Sequence, residues 1–524
     1  MNKKRFYITT PIYYASAKPH LGNAYCTVLA DFIARNRRLL GYDTFFLTGL
    51  DEHGQKIEAK AKANGMEPKQ YVDSISNTFK DLWSLLHISY DGFIRTSEER
   101  HVEVVQKVFS HLLKNDDLYL GEYEGWYCEP CESFWSDSQV GPDHVCPDCG
   151  RPVKKEKEKT YFFKTNKYLD FILKHYENHP RFVIPSTRLN EMINTFIKPG
   201  LTDLCVSRTS FKWGVPVKED PKHVVYVWLD ALVNYLSALG YLSEDDSLFQ
   251  KFWNNDDVTI VHLLGHEITR FHAIYWPMFL KSLDLRMPNT LFVHGLLMMK
   301  DDKMSKSKGN IIDPIPLCQR YGVDAVRYFL AREIHFGDDG RFTPDIFIDR
   351  INSDLVNNFG NLVNRTVTMI DKYFNGEIPT VEKGDESFEK EMKMYYERYV
   401  QQSDALMMTE SLVTLAELVS VGNRYIENRK PWEQAKNGDI DELKVTLVSL
   451  VRLINLANAL YSPILVLTYK KVYEMFEVEE KPSFIEELFS NLNMFANKHV
   501  HKGEILFPRL DAKIEIPYIQ SLMH

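Results

Sequence analysis

Short apolar runs and helical spacing alternate through the first third of the chain. Phe6, Tyr7, Ile8 and Thr9 read as a first strand, residues 24–40 as a first helix and residues 44–48 as a second strand. This order predicts a parallel sheet flanked by helices. Asp51 falls just past the C-terminal end of the second strand, the edge where open α/β sheets bind ligands. Between about Leu118 and about His223 the alternation breaks: this stretch carries paired cysteines, a charge run over residues 154–159 and several aromatic-rich segments. Alternation returns with residues 224–227, 259–264 and 290–293, so one sheet split by an inserted domain is expected. Beyond Ile351 the pattern is almost wholly helical, with Leu412, Leu415, Ala416 and Val419 on one stripe and Leu447, Val451, Ile454 and Leu460 on another. Stripes at this spacing are core-facing and predict a helix bundle.

Composition narrows the class. A chain of 524 residues is too long for one core, and two to four domains are expected. With 44% hydrophobic and 26% charged residues it reads as globular. No uncharged apolar run reaches 18 residues, so no membrane span is expected. The basic start, Met1 to Arg5, leads into a strand and not an apolar signal segment, and a cytosolic protein is expected. A net charge of −9 counts against a wholesale basic nucleic-acid binder, although a global sum is blind to one basic face.

Four of the seven cysteines form two C-x-x-C pairs, Cys128 with Cys131 and Cys146 with Cys149, separated by fourteen residues. Pro130, Pro147, Asp148 and Gly150 supply tight turns. The spacing fits an all-thiolate tetrahedral zinc knuckle, a structural and not a catalytic metal; a degenerate ribbon holding its metal weakly is the alternative. Cys26, Cys205 and Cys318 stand alone.

Two further segments carry chemistry. Lys303-Met304-Ser305-Lys306-Ser307 forms a doubly positive loop able to close over a leaving pyrophosphate. Pro19-His20-Leu21-Gly22-Asn23 opens the first helix, where backbone N–H groups and the helix dipole favour anions. Gly265-His266-Glu267 follows a strand; the fifth position from His266 is Arg270, so the two-histidine face of a zinc protease is missing.

The pair of segments resembles the signatures of class I aminoacyl-tRNA synthetases. Residues 7–14, 48–54 and 226–230 resemble the methionyl-tRNA synthetase family in particular, over residues 6 to about 432 and again at 506–509. The resemblance implies an α/β fold: a Rossmann-like parallel-sheet catalytic domain split by a zinc-knuckle insertion and followed by an all-α anticodon-binding bundle. The expected boundaries are 1–117 and 224–295 for the catalytic halves, 118–223 for the insertion, 296–350 for the lysine loop and stem-contact region, and 351–524 for the bundle. The chain stops soon after that bundle, so no additional C-terminal domain is expected.

The same resemblance implies roles. His20, Asn23, Lys303 and Lys306 are catalytic, and Gly22, Gly265, Glu267 and Ser305 join His20, Asn23, Lys303 and Lys306 around ATP. Asp51 takes the methionine ammonium and Arg208 helps to hold the Asp51 carboxylate, while Ile12, Tyr14, Trp228, Ala231, Leu232, Tyr235, Ile268 and His272 surround the thioether. Tyr14 and His272 are expected to offer it hydrogen-bond donors, and aromatic walls suit a polarizable sulfur. Asn361, Arg365 and Trp432 read the anticodon by edge hydrogen bonds and stacking. One structural Zn²⁺, Mg²⁺ with ATP, L-methionine, initiator and elongator tRNA(Met), and a monomer without membrane contact complete the expectation. The sequence departs from the family where Asn23 replaces the final histidine of H-x-G-H: an amide donates but carries no positive charge.

Other readings are weaker. The insertion is too short for the editing domain of the leucine, isoleucine and valine enzymes, and the cysteinyl enzyme uses zinc inside its pocket. A small-molecule nucleotidylyltransferase needs no helical C-terminal region. A zinc-ribbon nucleic-acid binder needs no pyrophosphate loop. Replacing Lys306 with Ala should lower amino-acid-dependent ATP–pyrophosphate exchange turnover by roughly two to three orders of magnitude and leave methionine affinity nearly unchanged; steady-state exchange kinetics check it.

Overall fold

A computed structural model of the chain describes residues 3–129, 133–135, 137–147, 149–299, 302–303, 311–334, 337–479, 481 and 483–523. These form two compact units, one of Met1–Pro19, Tyr42–Ser84 and Ser89–Gly295, the other of His20–Gly41, Leu85–Ile88 and Leu296–His524.

The first unit is built on a seven-stranded sheet. Its order is Tyr13–Tyr14, Asp43–Asp51, Arg5–Thr9, Val258–Gly265, Thr290–His294 and Val183–Ile184, with Gly92–Arg95 also paired to Asp43–Asp51. Every recorded pairing is parallel. Near-continuous apolar strands explain this: Tyr7 and Ile8, Ile260 and Val261, and Leu291 to Val293 are buried, as strands covered on both faces must be. Arg5–Thr9 sits between Asp43–Asp51 and Val258–Gly265, so the chain leaves it in opposite directions. That topological switch is where doubly wound sheets hold ligands.

The second strand runs further than the pattern suggested. Asp51 is its last residue and not just beyond it, because Tyr13–Tyr14 pairs alongside and extends the ladder, Tyr14 opposite Asp51. Residues 224–227 do not rejoin the parallel sheet. Val224–Val225 pairs antiparallel with Ser207–Arg208, and the chain turns directly into the helix Val227–Ser237.

The break in the pattern is a separate four-stranded antiparallel sheet, ordered Ser133–Trp135, Leu118–Cys128, Lys154–Phe163 and Leu204–Cys205. The charge run lies on the third of these. Lys157 and Lys155 face Glu122 and Glu124 across the ladder, at 3.4 and 3.3 Å. Exposed cross-strand pairs of this kind set register more than stability.

In the second unit, the helix Leu21–Leu39 begins three residues earlier than its apolar periodicity indicates, because His20 caps it. The helical C-terminal region centres on Ile440–Tyr461, in which every position from Thr446 to Tyr461 is buried. By length and composition this helix could cross a membrane, but 89% of its apolar window lies inside the structure, the mark of a core helix. Among the described residues, three arginines are buried in this unit: Arg37, Arg327 and Arg452. Arg452 is held by Glu389 and the Leu488 carbonyl. Arg327, wholly buried, reaches Asp31 at 2.7 Å and the carbonyls of Leu86, Ile464 and Pro463 at 2.9–3.2 Å. Removing one partner of a buried pair strands the other charge. Arg327→Ala should therefore cost about 3–5 kcal/mol, seen as a lowered urea midpoint by circular dichroism.

Candidate active site

The helix Val227–Ser237 places Trp228, Ala231, Leu232 and Tyr235 on one face, by i, i+3, i+4 and i+7 spacing. Facing them is the segment after Val258–Gly265: a turn at His266–Ile268, then a π-helical turn at Phe271–Tyr275. π-Turns recur where a side chain must be re-aimed for function. Trp228 stacks on Phe271 with ring centroids 3.7 Å apart and planes 5° from parallel. Ile12, Trp228 and Ile268 are partly buried against the main core, Leu232 is part of that core, and Ala231 is buried.

Hydrogen bonds decide the tautomers here. His272 Nδ1 lies 3.0 Å from the Ile268 carbonyl oxygen, which can only accept, so Nδ1 carries the proton. Its Nε2 therefore accepts from the Tyr235 hydroxyl at 2.8 Å. The same logic applies to His262, which stacks on Tyr235 at 4.1 Å. The Trp276 indole N–H donates to its Nε2 at 3.3 Å, so Nδ1 donates to the Thr9 hydroxyl at 2.9 Å. Burial pushes His272 down to about 4 and His262 well below the usual imidazole range. The lining is thus neutral near pH 7. It also revises one expectation: both His272 nitrogens are committed within the protein, so the imidazole donor meant for sulfur is already in use.

At the sheet edge, Asp51 lies beside Tyr14, and its carbonyl accepts from Ala15 N–H at 2.8 Å. The Lys56 ammonium sits over the Tyr14 ring at 5.6 Å. Arg208 is fully buried and bonds to Glu158 at 2.7 Å and Glu156 at 2.9 Å, with Tyr127 stacked 4.3 Å from its guanidinium. These carboxylates come from the inserted sheet, a pairing that the sequence did not suggest.

Two further buried groups went unremarked in the sequence because their partners lie far along the chain. Asp230 accepts from His53 Nδ1 and His101 Nε2, each at 2.7 Å, and His101 Nδ1 meets the Ser237 hydroxyl at 2.7 Å. Burial raises the Asp230 pKa, but the two imidazoles outweigh it and the net shift is downward. Glu52 is held by Arg95 at 2.7 Å and by Ser97; burial still leaves it above the usual carboxylate range. The only signal available was that His53 and Asp230 belong to the quoted segments 48–54 and 226–230.

In the second unit, His20 is the N-cap of Leu21–Leu39. Its Nδ1 accepts from Gly22 N–H at 3.0 Å, which puts the imidazole proton on Nε2 as a donor. Asn23 Oδ1 accepts from the His20 backbone N–H at 3.0 Å, closing a reciprocal capping box. A β-carbon on Gly22 would sit 2.9 Å from the His20 ring, so the glycine of the motif makes room for the histidine. The substitution at Asn23 therefore still leaves a cap, with the amide NH₂ as its donor. Lys303 ends the short strand Asp302–Lys303; Ser305 and Lys306 lie outside the described residues. Gly265 closes its strand and Glu267 follows in the turn.

The sulfurs of Cys128, Cys146 and Cys149 lie within 4.8 Å of one another, Cys128 and Cys149 at 3.6 Å. Tetrahedral zinc with Zn–S near 2.3 Å sets sulfurs about 3.8 Å apart, so the cluster could hold such an ion. Cys131, Pro130 and Asp148 lie outside the described residues.

In the helical region, Asn361 bonds Asn423 at 3.2 Å and Arg365 bonds Glu427 at 2.7 Å. The helix carrying them is α-helical from Asn361 to Phe374 and π-helical before that, from Ile351 to Gly360. Both residues line an open cleft of about 360 Å³, together with Asn357, Asn428 and Arg424. Trp432, second in the helix Pro431–Asn437, is 40% exposed.

A parallel sheet with a switch point, a capped His20-x-Gly corner and a helical C-terminal region carrying an amide-rich cleft define a class I aminoacyl-tRNA synthetase. The family model for class I (M) tRNA synthetases matches residues 6–159 and 143–367, and that for the anticodon-binding domain of methionyl tRNA ligase matches 377–516. The methionine–tRNA ligase of Halalkalibacterium halodurans is 48% identical over 99% of this chain and 81% of its own length. That of Caldanaerobacter subterraneus is 50% identical, also over 99% and 81%. The Mycobacterium tuberculosis methionyl-tRNA synthetase in complex with methionyl-adenylate is similar at 36% identity and a TM-score of 0.90, over 97% of this chain and 100% of that one. The chain belongs to the methionyl-tRNA synthetase family.

One outcome concerns acid. Folded, His272 stays neutral to about pH 4; unfolded, it titrates near 6.5. Between these values the unfolded state binds more protons, so stability falls as pH drops through that window. His272→Gln removes this share, and its urea midpoint should fall less than the wild type's between pH 7 and pH 4.5.

Proposed function

We propose a residue-by-residue assignment for an ATP-dependent ligase that joins methionine to tRNA. In the first step, a methionine carboxylate oxygen attacks the α-phosphorus of ATP, the bond from that phosphorus to the α,β-bridging oxygen breaks, pyrophosphate leaves, and methionyl-adenylate forms. The nucleophile is already ionised, so no general base is needed; orientation and charge neutralisation do the work. His20 Nε2–H, the Asn23 amide, Lys303 and Lys306 donate to the phosphates, with Gly22, Gly265, Glu267 and Ser305 completing the nucleotide contacts. ATP enters with Mg²⁺, which neutralises phosphate charge.

Methionine is held by Asp51 at its ammonium, a charge-assisted contact. Its side chain lies among Ile12, Tyr14, Trp228, Ala231, Leu232, Tyr235, Ile268 and His272. The observation that carries this reading is the tautomer-locked trio of Ile268, His272 and Tyr235: it lines the site with neutral, polarizable surface and offers no fixed charge to a basic or acidic side chain. With both His272 nitrogens engaged, sulfur recognition falls to aromatic contact and to Tyr14. Arg208 supports the site through Glu156 and Glu158.

In the second step, a ribose hydroxyl of the tRNA's terminal adenosine attacks the adenylate carbonyl and AMP leaves. Asn361, Arg365 and Trp432 read the anticodon of initiator and elongator tRNA(Met), a task that amide, guanidinium and exposed indole side chains suit. Residues 1–117 and 224–295 make the catalytic halves, 118–223 the insertion, 296–350 the lysine loop and 351–524 the anticodon domain. Cys128, Cys131, Cys146 and Cys149 hold one structural Zn²⁺. The chain acts as a monomer in the cytoplasm, away from membranes.

Methionine alone among the amino acids should support ATP–pyrophosphate exchange; exchange with none would remove the assignment. Trp432→Ala should leave exchange within about twofold and lower tRNA charging by roughly tenfold or more, as expected when about 1–3 kcal/mol of base stacking is lost. Equal damage to both reactions would make Trp432 a packing residue.

A further inference from the structure

Arg270, which stands where a zinc protease would place its second histidine, is half-buried and enclosed by aromatic rings from three elements. Its guanidinium carbon lies 4.5 Å from the centroid of Trp135, 4.6 Å from that of Phe271 and 5.0 Å from that of Phe196. The three rings belong to different parts of the first unit. Trp135 is buried in the small knuckle core with Cys128 and Cys146, on the strand that pairs back onto the one ending at Cys128. Phe196 packs against both the knuckle core and the main core. Phe271 lies flat against Trp228.

A guanidinium against several ring faces is a directional contact. Each face contributes by attraction to the ring quadrupole and by stacking of the planar fork, and a desolvated setting strengthens both. The contact also has a sequence of dependence. The cysteine cluster fixes the strand ending at Cys128, that strand registers Trp135, Trp135 and Phe196 hold Arg270, and Arg270 holds the Phe271 ring that backs Trp228. Arg270 joins the three rings through its guanidinium, so its removal breaks the link without removing a ring.

We infer that Arg270 is a positioning residue through which the cysteine knuckle sets the Phe271–Trp228 wall of the methionine pocket. The inference rests on the assignment of that pocket to methionine. It gives the metal cluster a reach beyond its own small core: with the knuckle ordered the wall is preset, and with it loosened methionine must order the wall itself and binds less tightly.

The test uses the full chain as wild type, Arg270→Met and Arg270→Lys. Arg270→Met keeps an apolar stem and loses the cation; it should raise the methionine KM in ATP–pyrophosphate exchange about tenfold while kcat and the ATP KM stay within about twofold. Arg270→Lys keeps a charge but not the planar fork and should give a smaller rise; if Arg270→Met does not fold by circular dichroism, this variant decides alone. Stripping the metal with a chelator should raise the wild-type methionine KM and add little in Arg270→Met. Because such coupling is reciprocal, saturating methionine should slow metal release to a chromogenic chelator several-fold in the wild type and not in Arg270→Met. A methionine KM within twofold of wild type in the folded variants, or an equal response to metal removal in wild type and Arg270→Met, overturns the inference. Absence of methionine-dependent exchange in the wild type would instead remove the pocket assignment beneath it.

Discussion

The hydroxyl of Tyr235 donating to a histidine that cannot donate back is the interaction on which the first unit's chemistry depends. Two imidazoles, His262 and His272, lie against that one tyrosine, and each is held in a single tautomer by a partner with only one possible role. Burial keeps both neutral. A buried polar network of this kind is costly if any member lacks a partner and rigid when all are satisfied. Satisfied, it lets polar side chains line a pocket without giving it a charge. The Tyr235 backbone joins the same network, its carbonyl accepting from Tyr7 on the central strand at 2.9 Å. Sheet, helix and pocket wall are thereby held to one another by directional bonds as well as by packing.

The buried carboxylates near this arrangement are paired within the protein. Asp230 is fully buried at the helix that carries Trp228 and Tyr235, yet it spends its charge on His53 and His101 and none of it faces the apolar wall. Glu52 does the same with Arg95 and Ser97. His53 follows Asp51 by two residues, so the Asp230 bond also fixes the loop leaving the strand on which Asp51 stands. Asp51 closes the strand that leads into that loop, and the surface formed by Tyr235, His262 and His272 is neutral. A neutral surface of this kind disfavours a charged side chain, which would be desolvated there without a partner.

In the second unit the logic is different. The His20-x-Gly-Asn corner is a helix cap before it is anything else: each of its polar side chains closes a backbone N–H that the first helical turn leaves open. An anion arriving there meets a helix N-terminus already ordered. This accounts for the tolerance of Asn at the last position, because an amide caps as well as an imidazole and still has donors. The arginine cage at Arg270 and the buried Arg327 show the same economy elsewhere, with one guanidinium collecting contacts from three or four separate segments.

Local signals were enough for much of this. Apolar runs and helical stripes indicated a parallel sheet, an insertion and a helical C-terminal region, because those periodicities arise from backbone geometry that any chain obeys. The two C-x-x-C pairs, Cys128 with Cys131 and Cys146 with Cys149, indicated a knuckle, and the three that the structure describes, Cys128, Cys146 and Cys149, lie together. Trp228, Ala231, Leu232 and Tyr235 were singled out by the family resemblance, and the helix Val227–Ser237 places them on one face. What the tertiary structure alone decided were the partners of buried polar groups: Arg208 with Glu156 and Glu158, Asp230 with His53 and His101, and His272 with its proton on Nδ1. Residues 224–227 likewise have strand-like composition, but which sheet they join was settled by Ser207 and Arg208 arriving alongside. Hydrogen bonds between separate segments leave no periodic trace, because the bond depends on where two segments meet and not on what either segment prefers.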